Sequence, residues 1–194
     1  MQKHEAEEIF EGVFKDAQTW LAQANQLKMS ADLIEVELQD MMARIRFEQG
    51  LDEPFLAFLK SFMLLTGMAI ENLIKGILVG RNPSIVSREV IELLRRKGHG
   101  ISEGAKKVIS VSNSEYELLR RLEEYLVWAG RYPMPLTSAV FLNSQTPENL
   151  RSFSWADFEL IDKLFDRLAE ILDNEWSARE RSKYASQLIQ PDLR

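Results

Sequence analysis

A chain of 194 residues, 45% of them hydrophobic, with only six prolines and nine glycines, holds the material for one domain with a full core and excludes a low-complexity or disordered class. It has no cysteine, which excludes disulfides and thiolate metal sites; with an acidic N-terminus that lacks an apolar signal stretch, this predicts a cytoplasmic protein. The net charge of −6 is uneven: residues 1–53 carry 5 basic and 12 acidic groups, 54–80 carry 2 and 1, 81–131 carry 10 and 7, and 132–194 carry 7 and 10. Only the middle is basic, and too weakly for a generic DNA-binding footprint.

From the N-terminus, Ile9, Phe10, Val13, Phe14, Ala17, Trp20, Leu21, Ala24 and Leu27 recur at three- and four-residue steps, which predicts one long amphipathic helix with Glu7, Glu8, Glu11 and Asp16 on its solvated face. Ser30 is placed to cap a second helix, striped by Ile34, Leu38, Met41, Met42 and Ile45 and ended by Gly50. Pro54 suits the first turn of a third helix, Pro54 to Gly80, which is apolar on nearly all sides and carries only Lys60, Glu71 and Lys75 as charges. Such a helix must be surrounded by others, so it is the expected central rod of a bundle. Its longest uncharged run, Ser61 to Ile70, is ten residues. A bilayer crossing needs about 20 apolar residues, so a core helix rather than a membrane span is expected.

After Gly80 come the turn cluster RNPSIVS, a short helix marked by Val90, Ile91, Leu93 and Leu94, and a loop that holds His99 between Gly98 and Gly100. A second short helix should bury Ala105, Val108 and Ile109. Ser114 and Glu117 have capping-box spacing ahead of a stripe of Leu118, Leu119, Leu122, Tyr125 and Leu126 that ends at Gly130, before the turn RYPMP. Residues 134–153 are expected as an ordered excursion, because Val140, Phe141 and Leu142 are poor residues to leave in water, and Phe141 is a candidate contact between copies. Ser154 and Asp157 form another capping box, opening a last long helix from Trp155 through Phe158, Ile161, Leu164, Phe165, Leu168, Ile171 and Leu172 to Trp176; residues 185–194 are expected to fray. With no period-two alternation, the expected fold is all-α: one domain over 1–194, an up-and-down helical bundle of four long helices with a short-helix insertion.

Two histidines without cysteine, and without a His-Glu-x-x-His helix, exclude a structural zinc site and a zincin centre. No serine-nucleophile elbow and no phosphate-cradling glycine loop is present. The remaining polar candidates are Glu71, Lys75, Arg95, His99, Arg131 and Tyr132. Glu71 and Lys75 stand one helical turn apart, so they either pair to let a buried helix keep two ionised groups or face a polar pocket. His99 titrates in the range of general acid–base work and Arg131 can hold a phosphate bidentately. Equally, His99 can cap a helix end while Arg131 and Tyr132 anchor the turn at Pro133.

The succession TGMAIENLIKGILVG, KGHGI and a helix ending in GRYP resembles the HEPN superfamily over Phe55 to Pro133. The resemblance implies a helical bundle of the kind found beside nucleotidyltransferases, in toxin–antitoxin pairs and in phage defence, and it implies a homodimer. Glu71, Lys75, His99 and the run Arg131 to Pro133 match its recurring positions. Many members resemble metal-independent ribonucleases that use an Arg followed by four to six residues and a His. Here Arg95 and Arg96 precede His99 by three and two intervening residues, and Arg88 by ten, so that spacing is absent. The resemblance thus implies a non-catalytic module, without a cofactor, that binds RNA, a nucleotide or a protein partner through residues such as Glu71, Lys75, Arg95 and Tyr132. A ribonuclease using His99 and Arg131, and a structural oligomer built on the aromatic faces of the first and last helices, are the alternatives.

Overall fold

Small residues at every seventh position decide how the core closes. In the computed structural model, which describes residues 3–45, 53–82, 100–129 and 153–188, the ordered elements are helices: α1 (Lys3–Lys15), α2 (Ala17–Ile45), α3 (Glu53–Arg81), α4 (Ile101–Val108), α5 (Asn113–Glu124) and α6 (Trp155–Leu188). A π-helical turn, Tyr125–Ala129, continues α5. No strand occurs among the described residues, so the fold is all-α.

Along α2, Ala17, Ala24, Ala31 and Leu38 are buried, and Trp20, Leu27, Ile34 and Met41, three residues after each, pack against the same core. A seven-residue apolar repeat of this kind gives a knobs-into-holes seam, and alanine at its inner positions lets the partner backbone come close. That partner is α3. A Cβ added at Gly76 of α3 would stand 2.8 Å from Trp20 Cβ and 2.8 Å from Leu172 Cδ2, so α2, α3 and α6 converge at this glycine. Gly67 plays the same part for the π turn, where an added Cβ would stand 3.0 Å from Leu126 Cγ.

The sequence expectation for the rod is met: α3 buries Phe62, Met63, Ile70, Leu73, Ile74 and Ile77 completely. By length and composition alone Pro54–Arg81 would suffice to cross a bilayer, but 67% of its apolar window is buried among the chain's own helices, the setting of a core helix. Against it lie Phe158, Ile161, Leu164, Leu168 and Leu172 of α6, and Ile101, Ala105, Leu118, Leu119 and Leu122 of α4 and α5.

Three local expectations are corrected. The first predicted helix does not run unbroken to Leu27: it stops before Asp16, which is solvated as expected but also caps α2, its carboxylate accepting from Gln18 N at 3.0 Å and Thr19 Oγ1 at 3.2 Å. Trp20 Nε1 donates to Phe14 O at 2.7 Å and so closes the end of α1. Ser30 starts no helix; its hydroxyl donates to Gln26 O at 3.0 Å inside the continuous α2. The capping box of α5 is Ser112 with Glu115 rather than Ser114 with Glu117. At α6 the expected pair holds in part, because Ser154 N donates to the Asp157 carboxylate at 2.7 Å. α6 extends to Leu188, beyond Tyr184. The cluster after Gly80, the helix around Val90, the His99 loop, Gly130 and the turn after it, the excursion with Phe141, and residues 189–194 lie outside the described residues.

Candidate functional site

Of the six polar residues singled out from the sequence, two are described. Lys75 Nζ lies 2.9 Å from Glu71 Oε1 on α3, with the Glu71 side chain almost wholly buried. The lysine also stands 5.9 Å from the centre of the Trp20 ring, a cation–π distance. The pair is thus held where α2 and α3 begin to pack, with the ammonium partnered by a carboxylate and an aromatic face. Arg95, His99, Arg131 and Tyr132 lie outside the described residues.

A second polar cluster, on α2 and α6, was not legible as a site. Lys28, Asp32, Glu35, Val36, Gln39, Asp162 and Asp166 line an open groove of about 440 Å³. Lys28 Nζ donates to Asp32 Oδ1 and lies 2.7 Å from Asp162 Oδ1, the latter an ion contact without hydrogen-bond alignment. Burial pulls the Lys28 ammonium down, but the two carboxylates outweigh it and hold its pKa above the ordinary lysine value. Burial, reinforced by the Asp162 charge, pushes the Glu35 carboxyl above its usual range against the opposing pull of Lys28.

One oxygen each from Asp32, Glu35 and Asp162 can lie within 4.8 Å of one another, a spacing a hard cation would accept. The Lys28 ammonium, however, already serves two of those carboxylates as their cation. The groove is lined by four carboxylates, one ammonium, one amide and Val36, and its surface is predominantly anionic.

Beside the groove runs a stripe that packing does not use. Met29 is 67% exposed, Leu33 77% and Val36 67%, at the i, i+4, i+7 spacing that puts them on one side of α2. That side lies roughly opposite the seam of Ala17, Ala24, Ala31 and Leu38, and Val36 belongs to both stripe and groove. On α1, Ile9, Phe10 and Val13 are also more than half exposed, while Phe14 is buried beside Val79. The sequence signal was present: Met29, Leu33 and Val36 fall outside the buried register while keeping a helical register of their own.

Three of the five described cations in the basic middle of the chain, residues 81–131, are paired with the chain's own acids. Arg81 pairs with Glu175 at 2.7 Å, Lys106 with Glu103 at 3.1 Å, and Arg121 holds Asp157 through two hydrogen bonds of 2.9 and 2.5 Å. No family model, curated protein or solved structure matches the chain, so its functional reading rests on the fold and on this surface chemistry.

Proposed function

We propose that the chain is an HEPN-like, non-catalytic binding module, an up-and-down bundle of four long helices with a short-helix insertion, and that what it binds is a protein. The observation that carries this reading is the exposed stripe of Met29, Leu33 and Val36 on a helix whose opposite side already fills the core. Covering such side chains stabilises a complex by about 1.5–3 kcal/mol for each one fully buried, a gain that a polyanion offers no surface to collect. The engaged arginines and lysines argue in the same direction, because a phosphate backbone is held by cations free to meet it. A cytoplasmic homodimer acting in a defence or toxin–antitoxin setting belongs to the same reading through the family resemblance.

The test is incubation of the purified full chain with labelled single-stranded RNA. Neither cleavage nor retention at physiological salt is expected. RNA cleavage by the wild-type chain that a His99→Ala, Arg131→Ala double substitution abolishes would replace this reading with the ribonuclease one.

A further inference from the structure

We infer that the outer side of α2 docks a cationic amphipathic helix of a partner protein, whose apolar side covers Met29, Leu33 and Val36 and whose lysines or arginines meet the carboxylates of Asp32, Glu35, Asp162 and Asp166. The inference deepens the protein-binding reading and rests on it. Three features of the surface select this occupant.

The first is shape. From Met29 to Val36 the stripe advances about 10 Å along a straight helix, two turns, and anchors at i, i+4 and i+7 are the pattern by which one helix lies along another. The second is adjacency. Val36 sits in the groove wall, so a helix seated on the stripe brings its flanking side chains over four carboxylates, of which Asp32 and Asp162 pair with the Lys28 ammonium. Burial first, and then the charges of Asp162 and Asp32, hold the Glu35 carboxyl above its usual range, and a cation brought beside it favours its ionised form.

The third is sign, which separates a basic partner from a second copy of this chain. Among the described residues, the two exposed apolar stripes lie within residues 1–53, which carry 5 basic and 12 acidic groups. The stripe of α1 runs among Glu5, Glu7, Glu8 and Glu11, and that of α2 among Asp32, Glu35 and Glu37. Setting α2 against α2, or α1 of one copy against α2 of another, would bring acids onto acids at close range, a juxtaposition that disfavours the pairing. An anionic membrane surface or a nucleic acid meets the same repulsion. A helix with lysine or arginine beside its apolar stripe meets attraction on both counts.

The experiment uses the full chain and a fluorescein-labelled helical peptide of about five turns, with leucines at i, i+4 and i+7 spacing flanked by lysines, beside a twin in which glutamates replace the lysines. Fluorescence anisotropy should give the lysine peptide at least about a tenfold advantage, shrinking as salt is raised. Leu33→Glu and Glu35→Lys, each checked for an unchanged circular dichroism spectrum and a melting temperature no lower than that of the wild type, should each weaken the lysine peptide by about tenfold or more. Equal affinity for the two peptides, no binding of either, or binding that Leu33→Glu leaves untouched would each overturn the inference. Self-association of the wild-type chain in sedimentation equilibrium, abolished by Leu33→Glu, would also overturn it while leaving the protein-binding reading intact. That reading falls separately, on RNA cleavage that depends on His99 and Arg131.

Discussion

Asp157 ties two helices together through a buried ion pair, and the cost of its removal can be worked through. The residue is buried; its carboxylate accepts two hydrogen bonds from Arg121, at 2.9 and 2.5 Å, and a third from Ser154 N at 2.7 Å. It therefore joins α5 to α6 and caps the first turn of a 34-residue helix at once. Losing a helix cap costs about 1 kcal/mol. Stranding a buried charge costs about 3–5 kcal/mol, a figure to be discounted here because the Arg121 side chain retains 18% exposure and can recruit water. Asp157→Ala should thus destabilise the fold by about 3 kcal/mol in urea titrations followed by circular dichroism at neutral pH. In the Arg121→Met background the same change should cost about 1–2 kcal/mol less, because the stranded cation is gone. The pH dependence has a definite sign. Burial pushes the Asp157 carboxyl up, but Arg121 and the Ser154 N–H outweigh it and hold the pKa below the ordinary aspartate value. Its contribution is therefore fully present above the unfolded pKa of about 4 and is lost as pH falls through the folded value. A cost below about 1 kcal/mol at neutral pH, or an unchanged cost in acid well below pH 4, would refute the assignment.

Four further expectations follow from the packing and from the groove. Gly76→Ala should lower stability by about 1–3 kcal/mol despite the better helix propensity of alanine, since the Trp20 Cβ in its path is anchored to backbone; a chemical denaturation curve decides it. Gly12→Ala on α1, where nothing lies within 4 Å of the added Cβ, should instead stabilise by about 0.5–1 kcal/mol in the same assay. Thr66→Val should raise the melting temperature by removing a fully buried hydroxyl that has no hydrogen-bond partner, worth about 1–2 kcal/mol. Because the Glu35 pKa is raised, its ionisation opposes folding above the unfolded value of about 4.3, so Glu35→Gln should raise the melting temperature at pH 7 and give no such gain in acid below that value.

The core helix could be read from the sequence because burial around most of its circumference from Phe62 onward leaves an unmistakable composition: Pro54 to Gly80 became Glu53–Arg81 with almost no change. The break between α1 and α2 could not, because the apolar spacing from Val13 through Phe14 to Ala17 runs on across it; only the capping chemistry of Asp16 marks the end, and an aspartate on a polar face looks the same. Ser30 misled for the converse reason. A serine after an apolar stripe resembles a cap, yet Leu27, Ala31, Ile34 and Leu38 keep one unbroken register through it. The Glu71–Lys75 pair was legible because a one-turn offset fixes its geometry locally, whereas the groove joins α2 to Asp162 and Asp166 on α6, a proximity that only the tertiary fold creates.

The two sides of α2 obey different rules. On the inner side, each alanine of the seven-residue repeat is small because α3 lies against it, and the larger residues three positions later fill what remains, so geometry accounts for every choice. On the outer side, geometry accounts for none. Glutamine, lysine or glutamate would serve the helix as well as Met29 and Leu33, and better than the β-branched Val36, while keeping water in contact with polar atoms. Neither helix propensity nor packing among the described residues calls for these three side chains, and the acids beside them would keep an isolated helix soluble without their help. What does call for them is a surface that completes the helix from outside. The carboxylates grouped around one lysine state the charge that surface must carry.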